Sequence, residues 1–399
     1  MQISRIDRYI MDAEGLDRLT RHEIEAVQLE KLNRVLAREK ERNGFYRNLP
    51  EKLESLTELQ TLPFTDEEDL AARAPDLLLC SQARIQRVLS DATSGTTGAA
   101  KRVFYTEADL EDTVRLYVAG LGELVFPGSS TLICFPFSGP FGLGELIAEA
   151  IRRLGARPLK AGPFLSYGEY ADLIARESPD TFVGMPVQLL SLLRFCGPGS
   201  LRRALVSGDA CPDGVILACE ELLGSRLFPH YGSREMGMAG AICCRAHDGM
   251  HLRETHVIPE IIDEAGRVLP PGEFGELVIT TVGMEAMPLL RYRTGDYTRI
   301  LPEPCPCGSE VLRLDRIRRR DDGMAALDDR VFRHPAVVDW KAEMHEGELV
   351  LSVLTQNDAE CRELEVLGRI HCRRACQEDR PMYTGKRKMM GDDGHDTEN

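Results

Sequence analysis

The sequence predicts an α/β protein. A large N-terminal domain of mixed and parallel sheets with helices, including a β-rich subdomain, is followed by a small α+β C-terminal domain. Three observations predict this. Between residues 103 and 230, helix-favouring stretches alternate with short apolar runs, the pattern of strand–helix–strand units that build parallel sheets. Between 250 and 300 the helical period gives way to strand-like runs punctuated by turn residues. Beyond a charge-dense stretch at 313–323, a short helical pattern and one apolar run suffice only for a small domain.

The elements follow in order. Leu16, Leu19, Ile24, Val27, Leu32, Val35 and Leu36 recur at helical spacing, so a long helix is expected over 13–43. Thr65, Asp66, Glu67 and Glu68 ahead of Leu70 read as a capping box opening a short helix. Ile85 to Leu89 reads as a strand. Helices are expected over 107–124, 143–154, 167–177 and 187–195, separated by strands at 131–135, 181–184 and 203–207. In the β-rich part, strands are expected at 256–262, 275–281 and 297–300. Asp263-Glu264-Ala265-Gly266 forms the first turn and Pro270-Pro271-Gly272 the next loop. The charge-dense stretch reads as a solvated linker or a hinge. After it come a short helix ending near His334, a strand at 348–354 and a helix over 358–375. The polar, acidic tail from Gly391 reads as disordered. The expected division is therefore 1–316, 317–390 and a tail of 391–399.

Size and charge narrow the function. A chain of 399 residues with 43% hydrophobic content fits two domains with a substantial core. A formal net charge of −15 argues against general nucleic-acid binding, which rests on neutralising phosphates. A small anion needs only a local positive site. No run of 18 apolar residues exists, so no membrane partner is expected. The N-terminal residues lack the apolar core of a secretion signal. Twelve irregularly spaced cysteines suggest a reducing, cytoplasmic setting.

One motif stands out. Ser94-Gly95-Thr96-Thr97-Gly98, followed by Lys101, makes a loop whose N–H groups and hydroxyls suit an anion. It is not a Walker A loop, because only two residues separate its glycines. Three further signatures follow in sequence. They are His230-Tyr231-Gly232-Ser233-Arg234-Glu235, then Glu285-Ala286-Met287-Pro288-Leu289-Leu290-Arg291-Tyr292-Arg293-Thr294-Gly295-Asp296, then Pro381-Met382-Tyr383-Thr384-Gly385-Lys386-Arg387-Lys388. Together with Pro259-Glu260-Ile261-Ile262-Asp263, these resemble the adenylate-forming enzymes of the acyl-CoA synthetase superfamily, and within it the phenylacetate–CoA ligase-like proteins. The resemblance runs from about residue 40 to 390.

The resemblance implies an N-terminal AMP-binding (adenylation) domain over 1–316 and a C-terminal lid over 317–390. It also implies ATP-dependent activation of a carboxylic acid, with Mg²⁺ as metal and CoA as acceptor. Carboxylate attack on the α-phosphorus builds negative charge that donors, a divalent cation and a lysine must meet. Ser94, Gly95, Thr96, Thr97, Gly98 and Lys101 would hold the departing phosphates, with Thr96 close to the reacting centre. Tyr231, beside Gly232, would stack on adenine. Glu235 would hold magnesium, Asp296 would accept the ribose hydroxyls, and Ser207, Gly208 and Asp209 would form an adenine-contacting loop. Arg320, with Arg316 as rival, would lie near ribose and phosphate. Lys386 would bridge the carboxylate and the α-phosphate. The partners implied are a small carboxylic acid and a nucleotide, and a homodimer is compatible.

Cys305-Pro306-Cys307-Gly308 is a knuckle-like turn, and Cys244 precedes His251 by seven residues. Three sulfurs and one imidazole suit a structural zinc; Cys243 and His247 compete as ligands. Phe135, Phe137 and Phe141 suit an apolar or aromatic acid and suit core packing equally. Two departures from the family appear. Arg319 replaces the glycine before the hinge arginine, and the loop after Asp321-Asp322 is short. An acceptor other than CoA, or nucleotide binding without turnover, are the alternatives.

Overall fold

The computed structural model describes residues 3–91, 101–319, 323–357 and 361–387. They form two compact units, one drawn from 1–123 and 230–320 and the other from 124–229 and 321–399.

In the first unit, the helix expected over 13–43 begins only at Arg21, and a further helix that was not expected precedes it. Helix Arg5–Glu14 stops at Gly15, whose φ of 66° is left-handed, and helix Arg21–Glu41 restarts under the Thr20 cap. Apolar spacing spans the gap, but the glycine and the hydroxyl cap decide the boundary. The short helix Glu67–Arg73 is capped one residue later than expected. Asp66 and Asp69 form the box, while Thr65 is buried and its hydroxyl donates to the Leu290 carbonyl at 2.7 Å. Strands Ile85–Asp91 and Lys101–Thr106 pair antiparallel and lead into helix Glu107–Leu121, closed at its start by Thr106 and Asp109. The β-rich part is an antiparallel sheet of Val257–Ile262, Gly275–Thr281, Tyr292–Thr298 and Arg318–Arg319, in that order. A shorter antiparallel set joins Ala241–Cys243, Met250–Leu252 and Arg313–Leu314.

In the second unit, strands Arg157–Lys160, Ser130–Ile133, Thr181–Gly184 and Arg203–Val206 lie side by side and parallel. Helices Leu143–Arg153, Tyr167–Glu177 and Pro186–Cys196 agree with the expected spans within about two residues. Helix Asp213–Leu223 and strand Arg157–Lys160 had no sequence counterpart. A second sheet carries Val337–His345 antiparallel to Glu348–Thr355 and Arg369–Arg374 parallel to the latter. One apolar core runs through both parts of this unit, from Leu132, Phe182 and Leu190 to Phe332, Trp340 and Leu354. Buried Arg194 reinforces it by donating to the carbonyls of Phe332, His334 and Val337 at 2.8, 3.2 and 2.6 Å.

Among the described residues 361–375, the helix expected over 358–375 is not formed. The structure has a single 3-10 turn, Arg362–Leu364, and then strand Arg369–Arg374. Gly368 explains the break: a Cβ there would lie 2.3 Å from the Leu349 carbonyl oxygen. Parallel pairing with Glu348–Thr355 then supplies the backbone partners that a helix would have supplied itself.

Candidate active site

The residues gathered in the first unit come from three motifs. Lys101 opens the strand Lys101–Thr106, and Glu235 sits in the turn Arg234–Met236. Lys101 Nζ lies 2.6 Å from Glu235 Oε1 and 3.7 Å from Glu67 Oε1. The pair is secluded, with side-chain exposures of 18% and 6%. Burial alone would push the Glu235 carboxyl up, but the charge and hydrogen bond of Lys101 outweigh it and hold the group below the ordinary glutamate range. Tyr292, at the start of its strand, places its hydroxyl 3.5 Å from the same Oε1.

Tyr231 donates from its hydroxyl to Asp296 Oδ2 at 2.8 Å. A bulge aims Asp296. Val278 faces Arg293 and Glu276 faces Tyr297, so a two-residue step on one strand meets a four-residue step on the other, with Gly295 at φ 71° inside it. The Thr294 hydroxyl accepts from the Asp296 N–H at 3.1 Å. Burial raises the Tyr231 phenol well above its usual value, and the neighbouring Asp296 carboxylate adds to that. Tyr231 therefore stays protonated and donates. Gly232 is required by close approach, since a Cβ would lie 2.5 Å from the Met238 carbonyl oxygen. Below the site, buried Arg291 ties the loop to Glu260 at 3.0 Å and to the carbonyls of Gln60 and Leu62.

Ser94, Gly95, Thr96, Thr97 and Gly98 lie outside the described residues, as does Arg320. Ser207, Gly208, Asp209 and Lys386 belong to the second unit. There Gly208 has φ 88°, and a Cβ on it would lie 3.0 Å from the Phe135 ring. Asp209 Oδ2 accepts from the Arg387 backbone N–H at 2.8 Å, and the neighbouring Lys386 is exposed. Phe135 is buried, whereas Phe137 and Phe141 are half-buried. Arg316 is exposed in the first unit. Sequence reasoning missed Tyr292 as a partner of Glu235, because its contact is tertiary and no local period marks it.

The cysteine and histidine expectation converges. One ligand atom from each of Cys244, His251, Cys305 and Cys307 lies within 4.8 Å of every other. Cys244 and Cys305 sulfurs are 3.7 Å apart, and Cys307 Sγ is 3.4 Å from His251 Nε2. His251 Nδ1 faces the Val311 carbonyl at 3.3 Å, which leaves Nε2 for the sulfurs. Burial would lower the His251 pKa, but the two thiols beside it raise it to about 9. Cys243 and His247 do not join this group; their side chains meet each other at 3.9 Å.

The chain is similar to known adenylating enzymes. A family model described as AMP-binding enzyme matches residues 89–286. The phenylacetate-coenzyme A ligase of Thermus thermophilus is 31% identical over 347 residues, spanning 78% of this chain and 74% of the relative. That of Escherichia coli is 31% identical, spanning 76% and 73%. Among solved structures, 2-hydroxyisobutyryl-CoA ligase in its postadenylation state superimposes with a TM-score of 0.75 at 20% identity, over 94% and 91% of the two chains. The same ligase in its thioesterification state, bound to 2-HIB-AMP and CoA, gives 0.69 at 21% identity, again over 94% and 91%. At that identity these two structures speak for the fold. No helix among the described residues is long and apolar enough to cross a membrane. The chain belongs to the phenylacetate–CoA ligase family, AMP-forming enzymes that convert a carboxylic acid to an acyl-adenylate with ATP and pass the acyl group to coenzyme A.

Proposed function

We propose that this ligase acts on an apolar, aryl-substituted acid of the phenylacetate kind and that its nucleotide site is built on the pairs Lys101–Glu235 and Tyr231–Asp296. The observation that carries this reading is the convergence of these four residues, from motifs up to 195 positions apart, with Tyr292 touching Glu235. The ring of Phe135 under Gly208 gives the acid an apolar wall beside the Ser207–Gly208–Asp209 loop. The relatives' name, phenylacetate-coenzyme A ligase, supports the aryl class.

The roles follow from the chemistry. Asp296, already oriented by the Tyr231 phenol, accepts the ribose hydroxyls, and the Tyr231 ring faces adenine beside Gly232. Ser94, Gly95, Thr96, Thr97 and Gly98 hold the leaving phosphates together with Lys101. Arg320, or Arg316, meets the ribose and α-phosphate. Lys386 donates to the carboxylate and α-phosphate as charge moves between them. Glu235 suits Mg²⁺, which is commonly held by one carboxylate and the substrate phosphates and which neutralises the departing pyrophosphate. Glu235 would hold the ion, and Lys101, 2.6 Å from that carboxylate, would be left to meet the phosphates.

Zinc suits the four-residue group. The donor set is Cys₃His, His251 is fixed from behind by Val311, and three of the four residues are buried. Such a site is closed and structural, pinning the Cys305–Cys307 turn to strand Met250–Leu252. Lys386 is carried by the C-terminal segment, which from Val331 onward shares one apolar core with residues 132–227. A cytoplasmic setting suits a chain whose described cysteines form no disulfide. Pyrophosphate release across a set of aryl, alkyl and hydroxy acids tests the substrate class. Release with aryl acids, and thioester on adding CoA, is the expected result; a preference for short hydroxy acids would refute it.

A further inference from the structure

Arg387 is the least expected residue in the second unit. It lies in a short segment dense in charge, yet its guanidinium is 4% exposed. Nη2 lies 3.0 Å from Asp328 Oδ1 and donates to the Trp340 carbonyl at 2.9 Å, and Nη1 lies 3.5 Å from Asp339 Oδ1. Its plane also meets the rings of Tyr383 at 4.4 Å and Trp340 at 4.9 Å. Two buried carboxylates and two aromatic faces around one cation fix a side chain far more tightly than solvent contacts do. Asp328 and Asp339 are themselves held. Trp340 Nε1 donates to Asp328 at 3.0 Å, and the Tyr167 phenol donates to Asp339 at 2.8 Å.

The backbone of the same residue is held as well. The Arg387 N–H donates to Asp209 Oδ2 at 2.8 Å. Gly385, Arg387, Tyr383, Met185, Asp339 and Asp209 line one small cavity. Lys386 is thus threaded between Gly385 and a residue anchored at both its side chain and its N–H, one peptide bond from Asp209.

We propose that Arg387 is a positioning residue for the acid-activating half-reaction, holding Lys386 at the Ser207–Gly208–Asp209 loop through its grip on Asp328 and Asp339. The inference rests on the reading of Lys386 as the lysine that meets the carboxylate and α-phosphate. A long lysine acts at a defined point only if its backbone is fixed, and a misplacement of about 1 Å costs on the order of a hundredfold in rate. Burial pushes the Asp328 carboxyl up to about 7 even though Arg387 pulls it down, so the grip is formed against a solvation cost.

The test is a double-mutant cycle on full-length protein, read by pyrophosphate exchange and, separately, by thioester formation from supplied phenylacetyl-adenylate and CoA. Arg387→Ala should lower the adenylation kcat about 10- to 100-fold. The KM for ATP and the rate from supplied adenylate should each stay within about threefold. In a Lys386→Ala background, Arg387→Ala should add no further loss, because it acts through Lys386. Arg387→Lys keeps the charge but loses the two-pronged fork and the flat stacking surface. It should fold as wild type does and lose about three- to tenfold in adenylation. The proposal is overturned if Arg387→Ala lowers the residual Lys386→Ala rate by the factor seen in wild type, or if it lowers both half-reactions alike. It is also overturned if Arg387→Lys equals wild type. If Lys386→Ala leaves adenylation intact, the underlying reading of Lys386 fails first, and that outcome is separate from the others.

Discussion

Replacing Lys101 by methionine removes the cation that faces Glu235 and leaves the shape of the site nearly intact. The wild-type carboxylate is 6% exposed, with Lys101 Nζ at 2.6 Å and the Tyr292 hydroxyl at 3.5 Å. Stripping one partner from a buried pair costs about 3 to 5 kcal/mol, whereas replacing both is often neutral. Lys101→Met should therefore destabilise the first unit by about that much at pH 8. In the variant, burial is opposed only by the hydrogen bonds from the backbone and the Ser233 side chain, so the Glu235 carboxyl rises, and the penalty shrinks as pH falls and the group takes a proton. Lys101→Met/Glu235→Gln should recover to within about 1 kcal/mol of wild type. The only tryptophan, Trp340, belongs to the second unit, so its fluorescence is the wrong probe. Amide hydrogen exchange over 101–106 and 231–243 reads the relevant opening energies. The reasoning is refuted if the single variant is as protected as wild type at pH 8, or if adding Glu235→Gln restores nothing.

Further outcomes are expected. Asp296→Asn should lower kcat/KM for ATP about 10- to 100-fold, the cost of weakening charge-assisted hydrogen bonds, with thermal unfolding little changed. A large loss of stability with ATP kinetics unaltered would point to a purely structural carboxylate. Burial holds His230 down to about 4 and His256 to about 3. Below about pH 6.5 the unfolded chain takes protons that these native imidazoles refuse, so stability falls with acid, by about 2 kcal/mol per histidine at pH 5. His230→Phe should flatten that slope in exchange experiments between pH 5 and 7, and an unchanged slope would argue against it. Purified protein should contain one zinc per chain by elemental analysis. Chelation should expose thiols and lower the unfolding temperature, as should Cys305→Ser; metal-free protein of unchanged stability would remove the zinc assignment.

Much of the architecture was legible because local signals and tertiary packing agree. The Gly275–Thr281 and Thr181–Gly184 strands coincide with their apolar runs, and helix Tyr167–Glu177 begins at the Ser166 cap that opens it. Where they disagree, packing or one glycine decides. Leu16 and Leu19 share the helical spacing yet stand between Gly15 and the Thr20 cap, outside either helix, and Gly368 with strand pairing converts an expected helix into strand Arg369–Arg374. The family resemblance drew attention to Glu235 and Asp296, and residue type and spacing drew attention to the Cys₃His set. The sequence did not reveal who neutralises whom. Lys101 against Glu235, Tyr231 against Asp296 and Arg387 between Asp328 and Asp339 are meetings of distant segments. Nor did it reveal that residues 331–364 share a core with 132–227, because an apolar face carries no mark of the surface it will cover.

Oxygen tracing tests the central claim most directly. Phenylacetate labelled with ¹⁸O in both carboxylate oxygens is incubated with ATP, Mg²⁺, CoA and the enzyme, and the nucleotide product is weighed by mass spectrometry. If the carboxylate attacks the α-phosphorus within the site described, AMP gains one ¹⁸O for each phenylacetyl-CoA formed and pyrophosphate gains none. Label recovered in inorganic phosphate with ADP as the nucleotide product, or AMP without label, contradicts the account.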